Sequence, residues 1–283
     1  MMFSLLIAAA LAFGPEDAAF AEKTTREFIE ECTPRDAGTI RGGIAANWIL
    51  DRASMTGADV RRDVFYASTP RGVRRFVNLY GEFASNPSSR WVVVVSHYDT
   101  KSGSRCPGAN DGGSTTGLLI SLANVISEWR EQHGNVMLVW TDGEECMGER
   151  YSEGDGLHGA YRAVQYLKEK ERTVQAVVCL DMLGDADLAI SVPSNGDTTL
   201  AKIAQHAARR IGEPGLVTPM AESVKDDHVA FCEAGYRAIV LIDFSYGPGN
   251  AWWHTPEDTC DKLSKDSFLK AGRLVCEMLR ILM

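Results

Sequence analysis

The sequence lacks the features that mark several large classes of protein. Its 283 residues include no stretch that concentrates Lys or Arg among aromatic residues, and the formal net charge is −9. Nucleic acid is therefore not an expected partner. The apolar run at residues 2–13 is too short to span a bilayer, so no stable membrane span is expected. None of the seven cysteines forms a CxxC pair, and an odd number leaves at least one unpaired in a monomer.

The first 21 residues have the pattern of a signal peptide. The apolar run of residues 2–13 is followed by Ala-Phe-Ala at residues 19–21, a small-x-small pattern suited to cleavage before Glu22. No Lys or Arg precedes the apolar run, and the alternative interpretation is a buried N-terminal helix. We expect an exported protein, periplasmic or secreted, with a signal peptide at 1–21 and a single domain at 22–283.

Hydrophobic patterning predicts an α/β fold. Four short apolar runs, rich in Val and Ile and not alternating, are typical of strands covered on both faces. They lie at residues 91–95, 136–140, 176–180 and 238–242, after two β-like runs at 63–67 and 75–80. Helical patterns are found at residues 24–54, 115–131, 157–170, 198–211 and 268–282. The alternation of strand and helix predicts a three-layer α/β/α sandwich with a mixed, mostly parallel central sheet.

The first of these helical stretches has its apolar side chains spaced for one helix face. They are Ile40, Ile44, Trp48 and Ile49. Because residues three and four apart lie on the same side of a helix, this spacing predicts one buried face within a continuous helix.

Residues with metal-ligand chemistry follow each of the four apolar runs. His97 follows the first, Glu145 the second, Asp181 the third and His254 the fourth, while Asp111 lies in a Gly-rich segment. Ligands of an open α/β sheet bind outside the carboxyl ends of the strands, so these side chains should meet in one crevice. Two imidazoles and three carboxylates suit zinc or a similar divalent ion. A carboxylate such as Asp111 could bridge two ions.

Each of these residues taken alone has a simpler explanation. A single His after a strand is usually a surface or satisfied core histidine, and an Asp-Gly-Glu-Glu run is most often a solvated turn. The Gly-rich stretch at 103–117 lacks the GK[ST] ending and the GxGxxG spacing of a phosphate loop. Five candidate ligands at the same end of successive strands nevertheless favour a metal site. Glu144, beside the candidate ligand Glu145, is then free to act as a general base or acid.

Six segments of the chain match a known pattern in the right order. They are residues 97–101 (HYDTK), 108–113 (GANDGG), 142–145 (DGEE), 180–184 (LDMLG), 226–228 (DDH) and 253–259 (WHTPEDT). Together they resemble the metallopeptidase family twenty-eight superfamily, which contains co-catalytic zinc aminopeptidases and glutaminyl cyclases. The resemblance implies a zinc exopeptidase-like domain in which Asp111, Glu145 and His254 hold the principal zinc ion. His97 and Asp181 would hold a second zinc ion in an aminopeptidase, or support the first site in a cyclase.

The resemblance leaves two reactions open. In a glutaminyl-peptide cyclotransferase, Glu144 would move a proton from the substrate's α-amine to the departing ammonia, with Asp181 and Asp227 hydrogen-bonding around the transfer. In an aminopeptidase, Glu144 would deprotonate a water that attacks the N-terminal peptide bond. Lys101, the doubled acid before His228 and the insert at residues 146–158 resemble cyclases. The short spacing from His97 to Asp111 resembles that of ordinary peptidases. We prefer the cyclase.

Three aromatic residues complete the expected substrate pocket. Trp253 resembles the pocket aromatic of cyclases, and Tyr151 stands where they tend to place a tryptophan. Trp252 is the third, although loop packing is an alternative role for it and for Trp253. We expect peptide or protein N-termini as substrates, one or two zinc ions as cofactor, and a monomer. A metal-free binding domain is a third interpretation, which a missing ligand or base would favour, and none is missing.

Overall fold

A mixed sheet of eight strands lies at the centre of the computed structural model, which describes residues 11–86, 89–129 and 134–283. The strands are β1 (Asp59–Thr69), β2 (Gly72–Phe83), β3 (Trp91–His97), β4 (Asn135–Thr141), β5 (Val174–Asp181), β6 (Ile190–Val192), β7 (Val217–Pro219) and β8 (Ala238–Ile242). Their order across the sheet is β1-β2-β4-β3-β5-β8-β6-β7. Strands β4, β3, β5 and β8 run parallel as neighbours, whereas β1, β2 and β6 join their neighbours β2, β4 and β8 in antiparallel fashion.

Helices cover both faces of this sheet. They are α1 (Pro15–Cys32), α2 (Ile40–Ser54), α3 (Thr115–Trp129), α4 (His158–Glu169), α5 (Thr198–Arg210), α6 (His228–Glu233) and α7 (Lys265–Leu282). Successive valines of β3 alternate between the two cores: Val92 and Val94 pack with α1, α2, α3, α5 and α7, and Val93 and Val95 pack with α4 and α6. This alternation is what a strand buried on both faces requires. The predicted three-layer α/β/α sandwich with a mixed sheet is confirmed.

The helix predicted at residues 24–54 is wrong in one respect, because the structure divides it. Helix α1 ends at Cys32, and α2 begins after Thr39, whose side-chain oxygen accepts a hydrogen bond from the Gly42 N–H. Trp48 and Ile49 are buried as expected, but Ile40 is 86% exposed and Ile44 is 47% exposed. These two isoleucines lie one turn apart at the start of α2, where they face solvent and not the core. Strands β6 and β7 and helix α6 are too short to give a periodic signal and were not predicted.

The predicted signal peptide falls partly outside the described residues, since residues 1–10 are not among them. The proposed cleavage position, after Ala21, lies inside α1, and Ala21 is fully buried. Leu11, Phe13 and Ala18 belong to the same core as α3 and α7. Cleavage before Glu22 would remove these side chains from the core, and it stays a prediction. Within the described ranges, no helix combines the length and apolar character that crossing a membrane requires.

Candidate metal centre and substrate pocket

The five predicted metal ligands lie together at the carboxyl ends of the parallel strands. His97 Nε2 lies 3.2 Å from Asp111 Oδ1 and 3.1 Å from Asp181 Oδ1. His254 Nε2 lies 3.3 Å from Asp111 Oδ2 and 2.7 Å from Glu145 Oε1. The two groups of donor atoms therefore share Asp111, which presents one carboxylate oxygen to each. The structure thus brings the five side chains together in one crevice, as the sequence predicts.

The parallel register explains why two of these residues meet. His97 is the last residue of β3 and Asp181 the last of β5, and these strands are hydrogen-bonded neighbours. Their carboxyl ends reach the same edge of the sheet, so the two side chains extend into the same crevice. His254 comes from the loop after β8 and has a φ of +58°, a left-handed conformation that His adopts more readily than most residues.

Asp99 holds the loop that carries Glu144 and Glu145. Its Oδ1 accepts hydrogen bonds from the N–H groups of Gly143 at 2.9 Å and Glu144 at 3.1 Å, and its Oδ2 accepts from Glu145 at 3.1 Å. Gly143 has a φ of +80°, and a Cβ there would lie 2.7 Å from the Phe76 ring. The Asp-Gly-Glu-Glu run is therefore not a solvated turn but a buried loop fixed by one carboxylate.

The loop of Asp111 is held by a buried arginine. Arg35 is fully buried and donates to the carbonyls of Tyr98 at 2.5 Å, Pro107 at 2.6 Å, Gly108 at 2.5 Å and Asp111 at 3.1 Å. All four of these hydrogen bonds go to backbone oxygens, and the guanidinium also lies 4.9 Å from the centre of the Phe28 ring. The guanidinium therefore acts as a template for the shape of this loop.

Asp258 anchors the same loop from the other side. Its carboxylate accepts from the backbone N–H groups of Asn110 at 2.7 Å and Asp111 at 3.2 Å, and from the Tyr246 hydroxyl at 2.7 Å. Asp258 and the candidate ligand His254 lie in the same segment, so this carboxylate ties together the backbones of two loops that carry candidate ligands.

Replacing Arg35 by Met should destabilise the fold by at least about 3 kcal/mol, because four carbonyls lose a buried donor. Urea denaturation followed by tryptophan fluorescence measures the effect. Arg61 is the matched control, since its ion pair with Asp59 is solvent-exposed, and Arg61→Met should change the free energy of unfolding by less than about 1 kcal/mol. Equal unfolding midpoints for the two variants would contradict the template role of Arg35.

The charges of the cluster are strongly coupled. Burial on its own lowers the pKa of His254, but hydrogen bonds to Asp111 and Glu145 outweigh it and raise that pKa to about 10. The pKa of His97 is also raised well above its usual value, because Asp111, Asp181 and Asp99 outweigh burial. Burial raises the pKa of Asp181 to about 7. Because metal ligands bind in their deprotonated form, a divalent cation that occupies this cluster would displace protons from it.

Glu144 lies beside the cluster and faces the cavity above it. Burial raises the pKa of its carboxyl well above the usual value, and the neighbouring charges of Glu145, Asp226 and Asp227 raise it further. A carboxyl group with a raised pKa can both accept and donate a proton near neutral pH, as a proton shuttle must.

A cavity of about 510 Å³ opens over the metal centre. One wall is apolar and is formed by Ile242, Phe244 and Trp253. Trp253 stacks on the imidazole of His254, with 4.0 Å between ring centroids, and meets the edge of Phe244 at 5.0 Å. Tyr151, from the predicted insert, also lines the cavity. The predicted pocket aromatics Trp253 and Tyr151 are therefore placed at the cavity.

Trp252 is not among the residues that line this cavity. Its ring meets Tyr246 edge-on at 5.3 Å and lies 5.2 Å from the Lys262 ammonium. The close approach of the ring to Gly247 leaves no room for a Cβ there. Of the two interpretations of Trp252, these contacts favour loop packing.

The two acids of the DDH segment have different surroundings. Asp226 lines the cavity, whereas Asp227 is buried and accepts a hydrogen bond from the Thr141 hydroxyl at 2.5 Å. Burial, followed by the charge of Asp226, raises the pKa of Asp227 to about 8. The catalytic role of Asp227 stays a prediction, because it is the neighbouring residue, Asp226, that lines the cavity.

Several residues of the site carried no usable signal in the sequence. Arg35, Asp99 and Asp258 act through backbone groups that are distant in sequence, and a pattern of residue types does not reveal such contacts. Phe244 lies two residues after the end of β8. Its position just beyond a strand, the same criterion that identified the ligands, is the signal that would have pointed to it.

All seven cysteines are free thiols, and Cys106 lies 3.6 Å from Asp258 Oδ2.

Comparison with known proteins agrees with this geometry. Residues 78–279 match Peptidase family M28. Aminopeptidase YwaD of Bacillus subtilis (strain 168) is 31% identical over 192 residues, a stretch that covers 65% of this chain but 39% of the relative's own length. The chain therefore spans well under two thirds of that relative.

Two solved structures share the whole fold. The crystal structure of an Acidobacteriales bacterium glutaminyl cyclase has a TM-score of 0.89 and 29% sequence identity, and the match covers 100% of this chain and 99% of that chain. A leucine aminopeptidase precursor from Bacteroides thetaiotaomicron has a TM-score of 0.83 at 18% identity, covering 96% of this chain and 99% of that chain. The family resemblance predicted from the six sequence segments is confirmed: this chain belongs to peptidase family M28.

Proposed function

We propose that this protein is a zinc-dependent glutaminyl-peptide cyclotransferase, which converts an N-terminal Gln into pyroglutamate and releases ammonia. The observation that carries the proposal is the cavity over the metal centre. It combines an apolar wall of Ile242, Phe244 and Trp253 with carboxyl groups of Glu144 and Asp226. The likeness to a glutaminyl cyclase over nearly the full length of both chains supports the same conclusion.

The donor atoms present fit a zinc site. Asp111, Glu145 and His254 offer one ligand atom each within 4.8 Å of one another, and two carboxylates with an imidazole are a ligand set that zinc accepts. These three residues would hold the principal ion. When bound, zinc would supply Lewis-acid polarisation of the side-chain amide carbonyl of the substrate's glutamine.

Glu144 would carry the proton of the reaction. The α-amine nitrogen of the substrate forms a bond to the side-chain amide carbon, and the bond from that carbon to the amide nitrogen breaks. Glu144 accepts the proton that the amine loses and donates it to the departing nitrogen, which leaves as ammonia. No net proton is consumed by the enzyme. Asp181 and Asp226 line the same cavity as Glu144. Burial is the main cause of the raised pKa of Glu144; the charge of His97 opposes it, and the charges of Glu145, Asp226 and Asp227 raise it further.

The apolar wall would keep competing water away from the reaction. Cyclisation needs no external nucleophile, so a dry wall beside the glutamine side chain favours it over hydrolysis. Trp253 is held in place by its stacking on His254 and its contact with Phe244. The wall is therefore a fixed part of the site.

Replacing Trp253 by Ala should lower kcat/KM for a Gln-initiated peptide by at least about tenfold, since the substrate loses an aromatic contact surface. Zinc content, measured by elemental analysis, should remain close to that of the wild type, because no ligand atom is removed. Trp252→Ala is the matched variant, because it removes packing against Tyr246. It should lower the melting temperature and leave KM close to that of the wild type. If Trp253→Ala leaves kcat/KM unchanged, the wall has no role in substrate binding.

A dizinc aminopeptidase is the second candidate, and one observation favours it. Asp111 is shared between the two donor groups, and His97, Asp111 and Asp181 form a second set within 4.8 Å of one another. A shared carboxylate is the arrangement that bridges two ions in co-catalytic sites. The similarity to aminopeptidase YwaD points in the same direction.

Paired assays distinguish the two candidates. The purified protein is incubated with a Gln-initiated peptide and, separately, with a leucyl anilide, and released ammonia and released aniline are measured. The cyclase proposal expects ammonia from the first and little product from the second. Rapid release from the leucyl anilide without ammonia from the Gln peptide would replace the cyclase by the aminopeptidase.

We also propose that the protein is exported. The support is the apolar run followed by Ala-Phe-Ala at residues 19–21. N-terminal sequencing of the protein recovered from its native host should begin at Glu22. Recovery of a chain that still contains Leu11 and Phe13, which are buried in the core, would contradict cleavage before Glu22.

A further inference from the structure

A second cavity, of about 600 Å³, adjoins the pocket over the metal centre. Lys101, Glu149 and His254 line both cavities, so the two meet beside the metal ligand His254. The second cavity is also lined by residues 102–104 and by residues 70–71, which form the turn between β1 and β2. We call this second cavity the outer trough.

The two cavities differ in charge. The pocket over the metal centre is lined by six acidic residues and three basic ones, so its lining is acidic on balance: Asp111, Glu144, Glu145, Glu149, Asp181 and Asp226 against Lys101, Arg150 and Lys225. Glu149 is the acidic residue that lines the outer trough, where Arg71 and Lys101 contribute positive charge. An N-terminal amine is therefore favoured in the pocket, and a carboxylate is favoured in the trough rather than in the pocket.

Arg71 is fixed at the wall of the trough. Its Nη2 donates to the Met147 carbonyl at 2.7 Å, a contact that joins the β1–β2 turn to the insert after Glu145. Lys101 is less available to a ligand, because its ammonium donates to the carbonyls of Cys146 at 2.7 Å and Gly148 at 2.9 Å. Arg71 is thus the cation best placed to meet a ligand in the trough.

The opposite side of the pocket is bridged. The Lys225 ammonium lies 4.8 Å from the centre of the Tyr151 ring, and both residues line the pocket from different segments of the chain. This cation–π contact crosses from the insert to the loop before α6. A peptide chain that leaves the pocket past Tyr151 would meet this contact, whereas one that leaves past His254 would enter the trough.

We propose that the outer trough binds the substrate residues that follow the N-terminal one, and that Arg71 selects peptides with a carboxylate there. The substrate class is then peptides of several residues with an acidic side chain or a nearby C-terminal carboxylate. This inference rests on the proposed function, because the assay measures that reaction. The inference itself concerns the outer trough and not the metal centre.

The experiment compares five Gln-initiated substrates at low salt: the dipeptide amide Gln-Ala, the tetrapeptide amides Gln-Gly-Ala-Glu and Gln-Gly-Ala-Lys, and Gln-Gly-Ala-Ala both as the amide and as the free acid. The wild type should prefer the Glu tetrapeptide over the Lys tetrapeptide by about fivefold in kcat/KM. Arg71→Glu should reverse that preference and leave the dipeptide amide unchanged, and Arg71→Lys should retain it. A gain for the free acid over its amide would assign the carboxylate to the C-terminus rather than to a side chain.

Two outcomes would contradict the proposed role of the outer trough in substrate binding. One is equal kcat/KM for both charged tetrapeptides in wild type and Arg71→Glu. The other is a reversal produced by Lys225→Glu and not by Arg71→Glu, which would show that the peptide leaves over Tyr151. If none of the Gln-initiated substrates is cyclised, the cyclase proposal fails instead, and the same series with Leu in place of Gln then tests the trough through peptide-bond hydrolysis.

Discussion

Glu144→Gln should leave zinc bound and lower kcat by at least about a hundredfold, the usual scale of general acid–base catalysis. The amide has the size and shape of the carboxyl group but does not transfer the proton between the substrate's amine and the departing nitrogen. Glu144 is not one of the residues whose donor atoms group at the metal centre, so metal content should not change. Steady-state kinetics on a Gln-initiated peptide, together with elemental analysis, measure both quantities.

Glu153 provides the matched control for this substitution. It is an exposed residue of the same insert that contributes Tyr151 to the pocket, and it does not line the cavity. Glu153→Gln should retain wild-type kcat and zinc content. Full activity of the Glu144→Gln protein would remove Glu144 from the mechanism, and loss of zinc from that protein would make it a ligand instead.

Asp111→Ala should abolish both zinc binding and activity. Asp111 offers one oxygen to the group of His254 and Glu145 and the other to the group of His97 and Asp181, so its removal disrupts both sets of donor atoms. Elemental analysis after mild dialysis should find almost no zinc in this variant. Asp187→Ala, which alters an exposed aspartate away from the cluster, should retain the metal.

His97→Ala then separates the one-ion and two-ion accounts. If His97 and Asp181 only support the first site, the variant should keep about one zinc ion per chain, as should the wild type. If they hold a second ion, the wild type should contain two ions and the variant one. An Asp111→Ala protein that retains zinc and activity would contradict the assignment of the whole centre.

The central strands and the ligands at their ends could be predicted because both depend on local patterns. Four unbroken apolar runs identify buried strands. In a parallel sheet the carboxyl ends of the strands lie at the same edge, so the segments that follow them meet there. His97, Asp181, Glu145 and His254 were found by this argument. Asp111 was found from its Gly-rich segment.

The parts that could not be predicted depend on contacts between distant segments. Arg35 is a charged residue before a helix, and no local pattern shows that it binds carbonyls 63 to 76 positions away. Asp226 and Asp227 are neighbours of the same type, so only the packing of α6 decides which one reaches the cavity. The same holds for Trp252 and Trp253. The first part of helix α1, residues 15–21, was assigned to a signal peptide, because an N-terminal segment of this kind has the same composition whether it is cleaved or buried.

The most direct test of the central claim is the product formed from a Gln-initiated peptide in heavy-oxygen water. Cyclisation uses the substrate's own amine as nucleophile, so mass spectrometry should show a peptide that has lost ammonia and gained no heavy oxygen. Hydrolysis of the N-terminal peptide bond would instead release free glutamine with one heavy oxygen in its carboxylate, together with a shortened peptide. The first product supports a cyclotransferase at this metal centre, and the second contradicts it.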